Sequence, residues 1–439
     1  MNRMLFFIMT IILPHLFYAQ ERGGDYNAIV EKATLCGKEE DILNAYNFII
    51  KGRTVKYTDI QVTQIVNAIK ENEIVIELFA CPDSIGDLMY WAFVIKKDMK
   101  SPRLYKICKE SELNSLIDKD KSFYYNASVL QLILHPIGNE FSGVETIYYT
   151  PCRKLHEIAL EYCRDTNGKM LCENYDVFRL TSSAMIGNRR NSNKYHHYSI
   201  WGGVDIEDRQ FDCQEDTCLT TYNTRQFSYL HDSFIAAKQI VEELIEDKDL
   251  VVDFYHDNTT TEENFKSMSG KDIDAFLIET HGIFTSECSI SPKSNNAPLN
   301  TQALALCGAT LVMDTGIIPT GYEDGLITVE EIARLDFSNM DLAVISACKS
   351  GLGKIEWNGV QGLMRGFKLA GVNSLVMTLD DVVDYVSGEL WIQFFRNLTN
   401  GQSKREALLN GIRYIRSMDN AAYSHPKYWT PFILIDGIE

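Results

Sequence analysis

Two short segments of the sequence each end an apolar run with a side chain that can do chemistry. Residues 276–282 read Phe-Leu-Ile-Glu-Thr-His-Gly and contain His281, whereas residues 343–351 read Ala-Val-Ile-Ser-Ala-Cys-Lys-Ser-Gly and contain Cys348. An imidazole beside a thiol can remove its proton, and the resulting thiolate can attack a peptide carbonyl. The same imidazole can later protonate the leaving amine. The pair therefore predicts a cysteine peptidase with Cys348 as nucleophile and His281 as base.

The oxyanion that forms during such an attack needs hydrogen-bond donors beside it. We expect the backbone N–H groups of Gly282 and Cys348 to be these donors, because glycine lets a substrate carbonyl approach without a side-chain clash. Each residue alone has an ordinary alternative explanation. A cysteine after a strand is often a small buried hydrophobe, and a histidine at a strand end is often a satisfied turn residue.

Short apolar strands alternate with helices from about residue 229 onward. The strands are predicted at 250–255, 274–279, 341–345 and 374–378, and the helices at 232–246, from 260, and from about 359. This alternation indicates a parallel sheet that is covered on both faces. Active sites of such sheets lie beyond the carboxyl ends of the strands. His281 and Cys348 would therefore face one crevice if their two strands are neighbours.

The earlier part of the chain has a different pattern. Residues 25–70 are predicted to be helical, residues 73–79 and 89–95 to form paired strands, and residues 144–150 to form another strand. Residues 187–228 are polar and irregular, which indicates a loop or linker.

The composition excludes several classes of partner. Hydrophobic residues make up 45% of the 439 residues, which is enough apolar material for a core without disulfides. The net charge of −18 would repel phosphate backbones and anionic membrane surfaces, so we expect no nucleic-acid partner.

Residues 1–20 resemble an export signal in their layout. Arg3 is followed by an apolar run that is too short for a comfortable bilayer span, and Ala19 lies near the expected cut. We expect an exported protein, periplasmic or secreted, with no stable membrane insertion after signal removal. An uncleaved anchor or a buried N-terminal helix is the alternative, in which case the protein would be cytoplasmic or membrane-anchored.

The sequence contains 11 cysteines, an odd number that leaves one thiol unpaired if the others form disulfides. Cys213 and Cys218 are close enough for a local bridge or a shared metal. No matching second pair completes a zinc site, so we expect neither a metal nor a cofactor.

Five segments, in order, resemble the CHAT domain, a bacterial branch of the caspase-like (clan CD) cysteine peptidases that includes separase-like enzymes. They are residues 280–282, 323–336, 341–353, 359–371 and 425–435. The resemblance implies a caspase-like α/β/α sandwich with a mostly parallel sheet. It also implies endopeptidase activity through a His281–Cys348 dyad without a metal.

The resemblance also implies the domain organisation. After the signal at 1–20 we expect a short helical N-terminal region at 21–70. A degenerate, non-catalytic caspase-like subdomain would span 71–228, and the catalytic subdomain would span 229–439. Family members often carry tetratricopeptide repeats before the domain, whereas this sequence has no such repeat.

Three acids follow the predicted strand at 374–378, where many family members have a tryptophan at position 380. They are Asp380, Asp381 and Asp384. A carboxylate in the substrate pocket would favour Lys or Arg before the cut through a charge-assisted contact. Solvated loop acids, or a cap for the following helix, are the alternative explanations.

The predicted function is therefore cleavage of a protein or peptide substrate through a thioester intermediate. A catalytically silent CHAT module that acts as an interaction scaffold is the main alternative, and amide transfer is another. An activating partner or a processing event would open the site, and residues 286–327 are a candidate lid or activation loop.

Overall fold

The computed structural model describes residues 23–54, 60–83, 86–188, 195–206, 227–284, 302–315, 318 and 323–439. The chain divides into two compact units. The first unit comprises Met1–Asn191, Ile355–Val360 and Ile435–Glu439, and the second unit comprises Ser192–Lys354 and Gln361–Leu434. The predicted export signal at 1–20 lies outside the described residues, so export stays a prediction.

The first unit begins with the predicted helices and continues as a small sheet. Its helices are α1 (Gly23–Cys36), α2 (Glu39–Arg53), α3 (Val62–Ala68), α4 (Glu110–Leu116), α5 (Ser128–Leu134) and α6 (Leu171–Asn174). Its strands are β1 (Glu73–Pro82), β2 (Leu88–Ile95), β3 (Arg103–Lys109), β4 (Thr146–Thr150) and β5 (Asp176–Arg179), in the order β3-β2-β1-β4-β5. β1 pairs with β2 antiparallel and with β4 parallel, which confirms the predicted strand pair.

The core of the first unit forms where α1 and α2 supply apolar side chains to the same cluster as β1 and β2. Val30, Tyr46, Phe79 and Phe93 all lie in this cluster. The tryptophan of a late segment, Trp357, also belongs to this unit. Its ring stacks on those of Tyr26 and Phe48 with centroid distances of 5.2 Å each. A Cβ atom on Gly52 would lie 2.2 Å from the Trp357 ring, so only glycine fits there.

A buried ion pair lies inside the first unit. An Arg53 guanidinium N–H donates to the Glu77 carboxylate, and the two side chains are 2% and 0% exposed. The Thr150 hydroxyl and the Ser183 backbone N–H also donate to Glu77, at 3.0 and 2.9 Å. These contacts satisfy a charge that would otherwise be costly to bury.

The second unit has the alternation of strands and helices that the sequence predicts. Its strands up to the cysteine segment are β6 (His197–Val204), β7 (Val251–Asp257), β8 (Ala275–Glu279), β9 (Gly282–Phe284), β10 (Gln302–Ala305), β11 (Leu326–Thr328) and β12 (Leu342–Ser346). The later strands of this unit are β15 (Ser374–Thr378) and β16 (Phe432–Ile435). Two short strands between β12 and β15, β13 (Lys354–Glu356) and β14 (Gly359–Gln361), lie mostly in the segment Ile355–Val360 that belongs to the first unit. The helices are α7 (His231–Leu244), α8 (Glu262–Ser267), α9 (Ala309–Thr315), α10 (Val329–Ala333), α11 (Leu363–Ala370), α12 (Asp384–Thr399) and α13 (Lys404–Ser417).

The main sheet of this unit has the order β16-β15-β12-β8-β6-β7. β12 pairs in parallel with both β15 and β8, and β6 pairs in parallel with both β8 and β7. Every residue of β8, β12 and β15 is buried, so both faces of these strands are covered. The predicted α/β class with a mostly parallel sheet is confirmed.

The prediction of a linker over 187–228 is wrong for its middle part. Residues 197–204 form β6, where Ile200 and Trp201 are completely buried. The apolar run of this strand is short and is flanked by polar residues, so composition hides it. Residues 189–194 and 207–226 of the same segment lie outside the described residues.

The predicted lid at 286–327 is described only in part. Within it, β10 and β11 join β9 in a separate three-stranded sheet of order β11-β10-β9. Residues 286–301, 316–317 and 319–322 lie outside the described residues, so their role as a lid stays a prediction.

Candidate active site

The register of β8 and β12 brings together the two segments that contain His281 and Cys348. Glu279 lies opposite Ser346, so His281 and Cys348 each follow this pair by two positions. The Thr280 N–H donates to the Ser346 carbonyl at 3.1 Å, which continues the contact beyond the strands. The two residues therefore leave the sheet side by side.

Gly282 allows the close approach of these two chain segments. A Cβ atom at this position would lie 2.5 Å from the Cys348 carbonyl oxygen, a distance that real Cβ atoms do not show. The glycine is thus needed for backbone packing as well as for the substrate access that the sequence predicts.

The His281 ring is held by its Nε2 atom, which lies 2.7 Å from the Ser228 carbonyl oxygen. A carbonyl only accepts hydrogen bonds, so we assign the ring proton of neutral His281 to Nε2. This tautomer leaves the Nδ1 lone pair free to take a proton. Phe227 packs edge-on against the ring with a centroid distance of 5.1 Å, which limits its rotation.

The Cys348 thiol is half-buried, and residues of the loop that follows β15 influence its pKa. Burial raises the pKa of this thiol above its usual range, and the nearby Asp381 carboxylate raises it further. The Val382 backbone N–H and the Lys349 ammonium group act in the opposite direction on the pKa. Since the net direction is upward, the thiol is protonated at neutral pH and needs a base before it can attack.

Two of the three acids predicted to line the pocket lie next to the nucleophile in this loop. The Lys349 Nζ atom lies 2.8 Å from Asp381 Oδ2, and the Lys349 backbone N–H donates to the Asp380 carbonyl at 3.1 Å. Lys349 has a φ of 57°, a value that non-glycine residues adopt rarely. The residue after the nucleophile is thus bound to the acidic loop through both its backbone and its side chain.

Asp384, the third predicted pocket acid, forms hydrogen bonds with another helix. Its carboxylate accepts the N–H groups of Asp232 and Ser233 at 3.0 Å each, and it also accepts the Ser233 hydroxyl. These N–H groups belong to the first turn of α7, where a carboxylate is favourable. We therefore assign Asp384 to capping of this helix and retain Asp380 and Asp381 as the pocket candidates.

Glu279 is a residue of this region that the sequence analysis did not single out. It is 1% exposed at the end of β8, two positions before His281. Burial raises the pKa of Glu279 well above its usual range, and the nearby Asp384 carboxylate adds to this rise. The Ser233 and Ser346 hydroxyls lower the pKa in part, and Ser346 itself accepts the Trp391 indole N–H at 2.8 Å. The sequence did contain a signal for this residue, because Glu279 is an acid at the end of an otherwise apolar strand.

The raised pKa of Glu279 predicts a pH dependence of stability. The folded protein holds this proton more tightly than the unfolded chain, so stability is lost as the pH rises above about 4.3, the ordinary value for Glu. Glu279→Gln keeps the shape of the neutral acid and removes the titration. We expect the urea midpoint of this variant to fall less than that of the wild type between pH 5 and pH 8. Glu242→Gln, at a side chain that is 62% exposed, is the control, and equal slopes for wild type and Glu279→Gln would contradict the prediction.

Within the described ranges, no group of three or more His, Cys, Asp or Glu side chains is arranged to hold a metal ion. Cys213 and Cys218 lie outside those ranges. In the same part of the chain, no helix is both long enough and apolar enough to cross a membrane.

A mostly parallel sheet with a histidine and a cysteine at neighbouring strand ends agrees with the caspase-like fold that the sequence predicts. The family model of the CHAT domain matches residues 127–436, which is most of the chain. The protein belongs to the CHAT domain family.

Two curated relatives match a small part of the chain. They are the tetratricopeptide repeat protein 28 of Mus musculus and that of Homo sapiens, each 28% identical over 110 residues. This segment is 25% of the present chain but only 4% of each relative, so the chain spans a small fraction of their length.

Two solved structures are similar in fold to this chain. The Arg-specific cysteine proteinase gingipain R is 9% identical with a TM-score of 0.42, and the match covers 70% of this chain and 66% of that one. The separase–securin complex of Saccharomyces cerevisiae is 9% identical with a TM-score of 0.48, covering 90% of this chain and 34% of that one. At such identities the likeness concerns the fold alone.

Proposed function

We propose that the protein is a cysteine endopeptidase in which Cys348 is the nucleophile and His281 is the general base. The observation that supports this most is the register of β8 and β12, which sets the two residues side by side, with Gly282 packed on the Cys348 carbonyl. The Ser228 carbonyl leaves His281 Nδ1 as the free basic atom.

The proposed reaction begins when His281 Nδ1 takes the thiol proton. The thiolate forms a C–S bond with the substrate carbonyl carbon, and the N–H groups of Gly282 and Cys348 receive the oxyanion. When the tetrahedral intermediate collapses, the C–N bond breaks and His281 returns the proton to the leaving amine. Water then attacks the thioester, which releases the carboxylic acid product and restores the thiol.

The proposed substrate is a protein or peptide with a basic residue before the cut. Asp381 lies near enough to the thiol to raise its pKa, which places a carboxylate beside the nucleophile, where it could meet the side chain that precedes the scissile bond. The net charge of −18 favours the approach of a basic chain.

A silent, partner-binding module is the second candidate function. The observation that favours it is the raised pKa of the Cys348 thiol, which burial and the nearby Asp381 carboxylate keep protonated. An active enzyme must relieve this state, either through substrate or through an activating protein partner.

A peptide panel tests the proposal. Peptides that differ only in Arg, Lys, Asp or Leu at one position are incubated with the full chain, and the products are identified by mass spectrometry. We expect cleavage after Arg and Lys, no cleavage by Cys348→Ser, and unchanged cleavage by Cys307→Ser, a variant at a second half-buried thiol of the same unit. Cleavage after Asp or Leu instead would reject the basic preference. Intact peptides throughout would favour the silent module.

A further inference from the structure

The Ser228 carbonyl that orients His281 belongs to a segment without regular secondary structure, residues 227–230, which precedes α7. The next residue, Tyr229, is 40% exposed, and its hydroxyl donates to Asp257 Oδ1 at 2.8 Å. This contact joins the segment to the end of β7, 28 positions further along the chain. The carbonyl that holds the imidazole is therefore itself held, through the side chain of its neighbour.

We propose that Tyr229 and Asp257 are positioning residues for His281. Their hydrogen bond keeps the Ser228 carbonyl against Nε2, so the ring proton stays on Nε2 and the lone pair of Nδ1 stays free to take a proton from Cys348. For its effect on cleavage the inference rests on the proposed function. Its effect on the histidine tautomer is independent of any substrate.

Asp257 is suited to anchor this contact because its own backbone is fixed. It ends β7 with a φ of 47°, a conformation that Asp and Asn adopt more readily than most residues. Its carbonyl accepts the Thr260 N–H at 3.3 Å and the Thr260 hydroxyl at 2.6 Å, and Thr260 has no exposed surface. The carboxylate therefore projects from a fixed turn and does not simply follow the tyrosine.

The acceptor is also charged. Burial by itself raises the pKa of Asp257, but hydrogen bonds from His256 and from Tyr229 outweigh it and lower the pKa below its usual value. Hydrogen bonds to an ionised acceptor are stronger than those between neutral groups. His256 Nδ1 lies 2.8 Å from the other oxygen, Oδ2, so the histidine and the tyrosine use different oxygens. The tyrosine contact can thus be removed by itself.

The neighbouring strand β6 leaves room for the tyrosine hydroxyl. A Cβ atom on Gly203 would lie 2.7 Å from the Tyr229 hydroxyl oxygen and 2.6 Å from the Phe234 Cβ atom. A side chain at this position would push the hydroxyl away from Asp257. Two adjacent strands, β6 and β7, therefore form the place that receives Tyr229.

The first test reads the tautomer of His281 in the full chain. Histidine is labelled with ¹⁵N, and the ring nitrogens of His281 are identified by the loss of their NMR signals in His281→Gln. Spectra are recorded at about pH 8.5, well above the ordinary pKa of histidine, so that neutral rings are observed. In the wild type we expect one tautomer with the proton on Nε2. In Tyr229→Phe, which removes only the hydroxyl, we expect averaged signals from both tautomers.

The second test measures peptide cleavage. Tyr229→Phe should lower kcat by about three- to tenfold, the value of one ordinary hydrogen bond. KM should be unchanged, because the substrate contacts are left in place. Tyr414→Phe is the matched control, since Tyr414 is 38% exposed, lies in the same unit and donates its hydroxyl to Glu389 at 3.1 Å. It should change neither the tautomer nor kcat.

Two variants of Asp257 separate the acceptor from the rest of the turn. Asp257→Asn keeps an oxygen that accepts the hydroxyl and tolerates the positive φ, so it should keep the wild-type tautomer. Asp257→Ala removes the acceptor and should give the averaged signals of Tyr229→Phe. The double variant Tyr229→Phe with Asp257→Ala should shift the tautomer no further than either single variant, because both remove the same contact.

The inference is overturned if Tyr229→Phe keeps the wild-type tautomer, if Tyr414→Phe disturbs the tautomer equally, or if Asp257→Asn is as disturbed as Asp257→Ala. Failure of the proposed function gives a different result. In that case no peptide is cleaved, although the His281 tautomer still responds to Tyr229→Phe.

Discussion

Replacing His281 by alanine is expected to lower kcat for peptide cleavage by about two to four powers of ten, the usual contribution of a general base. The effect is large because the thiol of Cys348 is protonated at neutral pH and has no other described imidazole at the neighbouring strand end. KM should change much less, because His281 contacts the reacting atoms rather than the side chains of the substrate.

The variant also has a pH signature. Without the imidazole, the reaction needs a thiolate formed in solution, so the residual activity should rise with pH through the raised pKa of Cys348. Added imidazole should restore part of the lost rate. His256→Ala, at a histidine that pairs with Asp257 in the same unit, is the matched control and should keep its activity. A His281→Ala enzyme with unchanged kcat would remove His281 from the proposed mechanism.

Replacing Arg53 by methionine is expected to destabilise the protein by about 3–5 kcal/mol, the largest stability effect that we predict. Methionine fills similar space, but Glu77, with no exposed surface, would then be left without its cation. The hydrogen bonds from Thr150 and Ser183 satisfy only part of that charge. Urea unfolding, followed by circular dichroism, measures the loss.

A double variant separates the cost of an orphaned charge from the net value of the pair. Arg53→Met with Glu77→Leu removes both charges and should recover much of the stability, because apolar replacements of buried pairs are often neutral. Lys238→Met breaks an exposed pair with Glu242 and should change stability by less than about 1 kcal/mol. If Arg53→Met were as mild as Lys238→Met, the buried pair would have no special role in the first unit.

The strands that carry His281 and Cys348 could be predicted because continuous apolar runs of five or six residues are a strong signal for buried parallel strands. That these two strands are neighbours could not be predicted. The order of strands in a sheet depends on long-range connections that no local pattern in the sequence reveals. β6 was missed for a related reason. Its apolar residues are few, and its partners β7 and β8 lie far along the chain.

The chemistry around the dyad was less predictable than the dyad. The pair Lys349–Asp381 joins residues 32 positions apart, and it depends on the path of the loop after β15. The Ser228 carbonyl that orients His281 is a backbone atom, for which residue type gives no signal. Glu279 was visible as an acid in an apolar strand, but its proximity to Asp384 follows from packing alone.

The position of Trp357 has a consequence for how the protein is made. The first unit takes this ring from the segment Ile355–Val360 and a further segment from Ile435–Glu439, where Asp436 accepts the Thr181 backbone N–H at 2.8 Å. During synthesis, the N-terminal half leaves the ribosome long before these pieces exist, so the Tyr26 and Phe48 rings lack their stacking partner until late in translation. Domains commonly fold one after another as they emerge. Here the first unit is completed only after the second unit has been synthesised, so a nascent chain that stops before Ile355 contains neither unit in finished form.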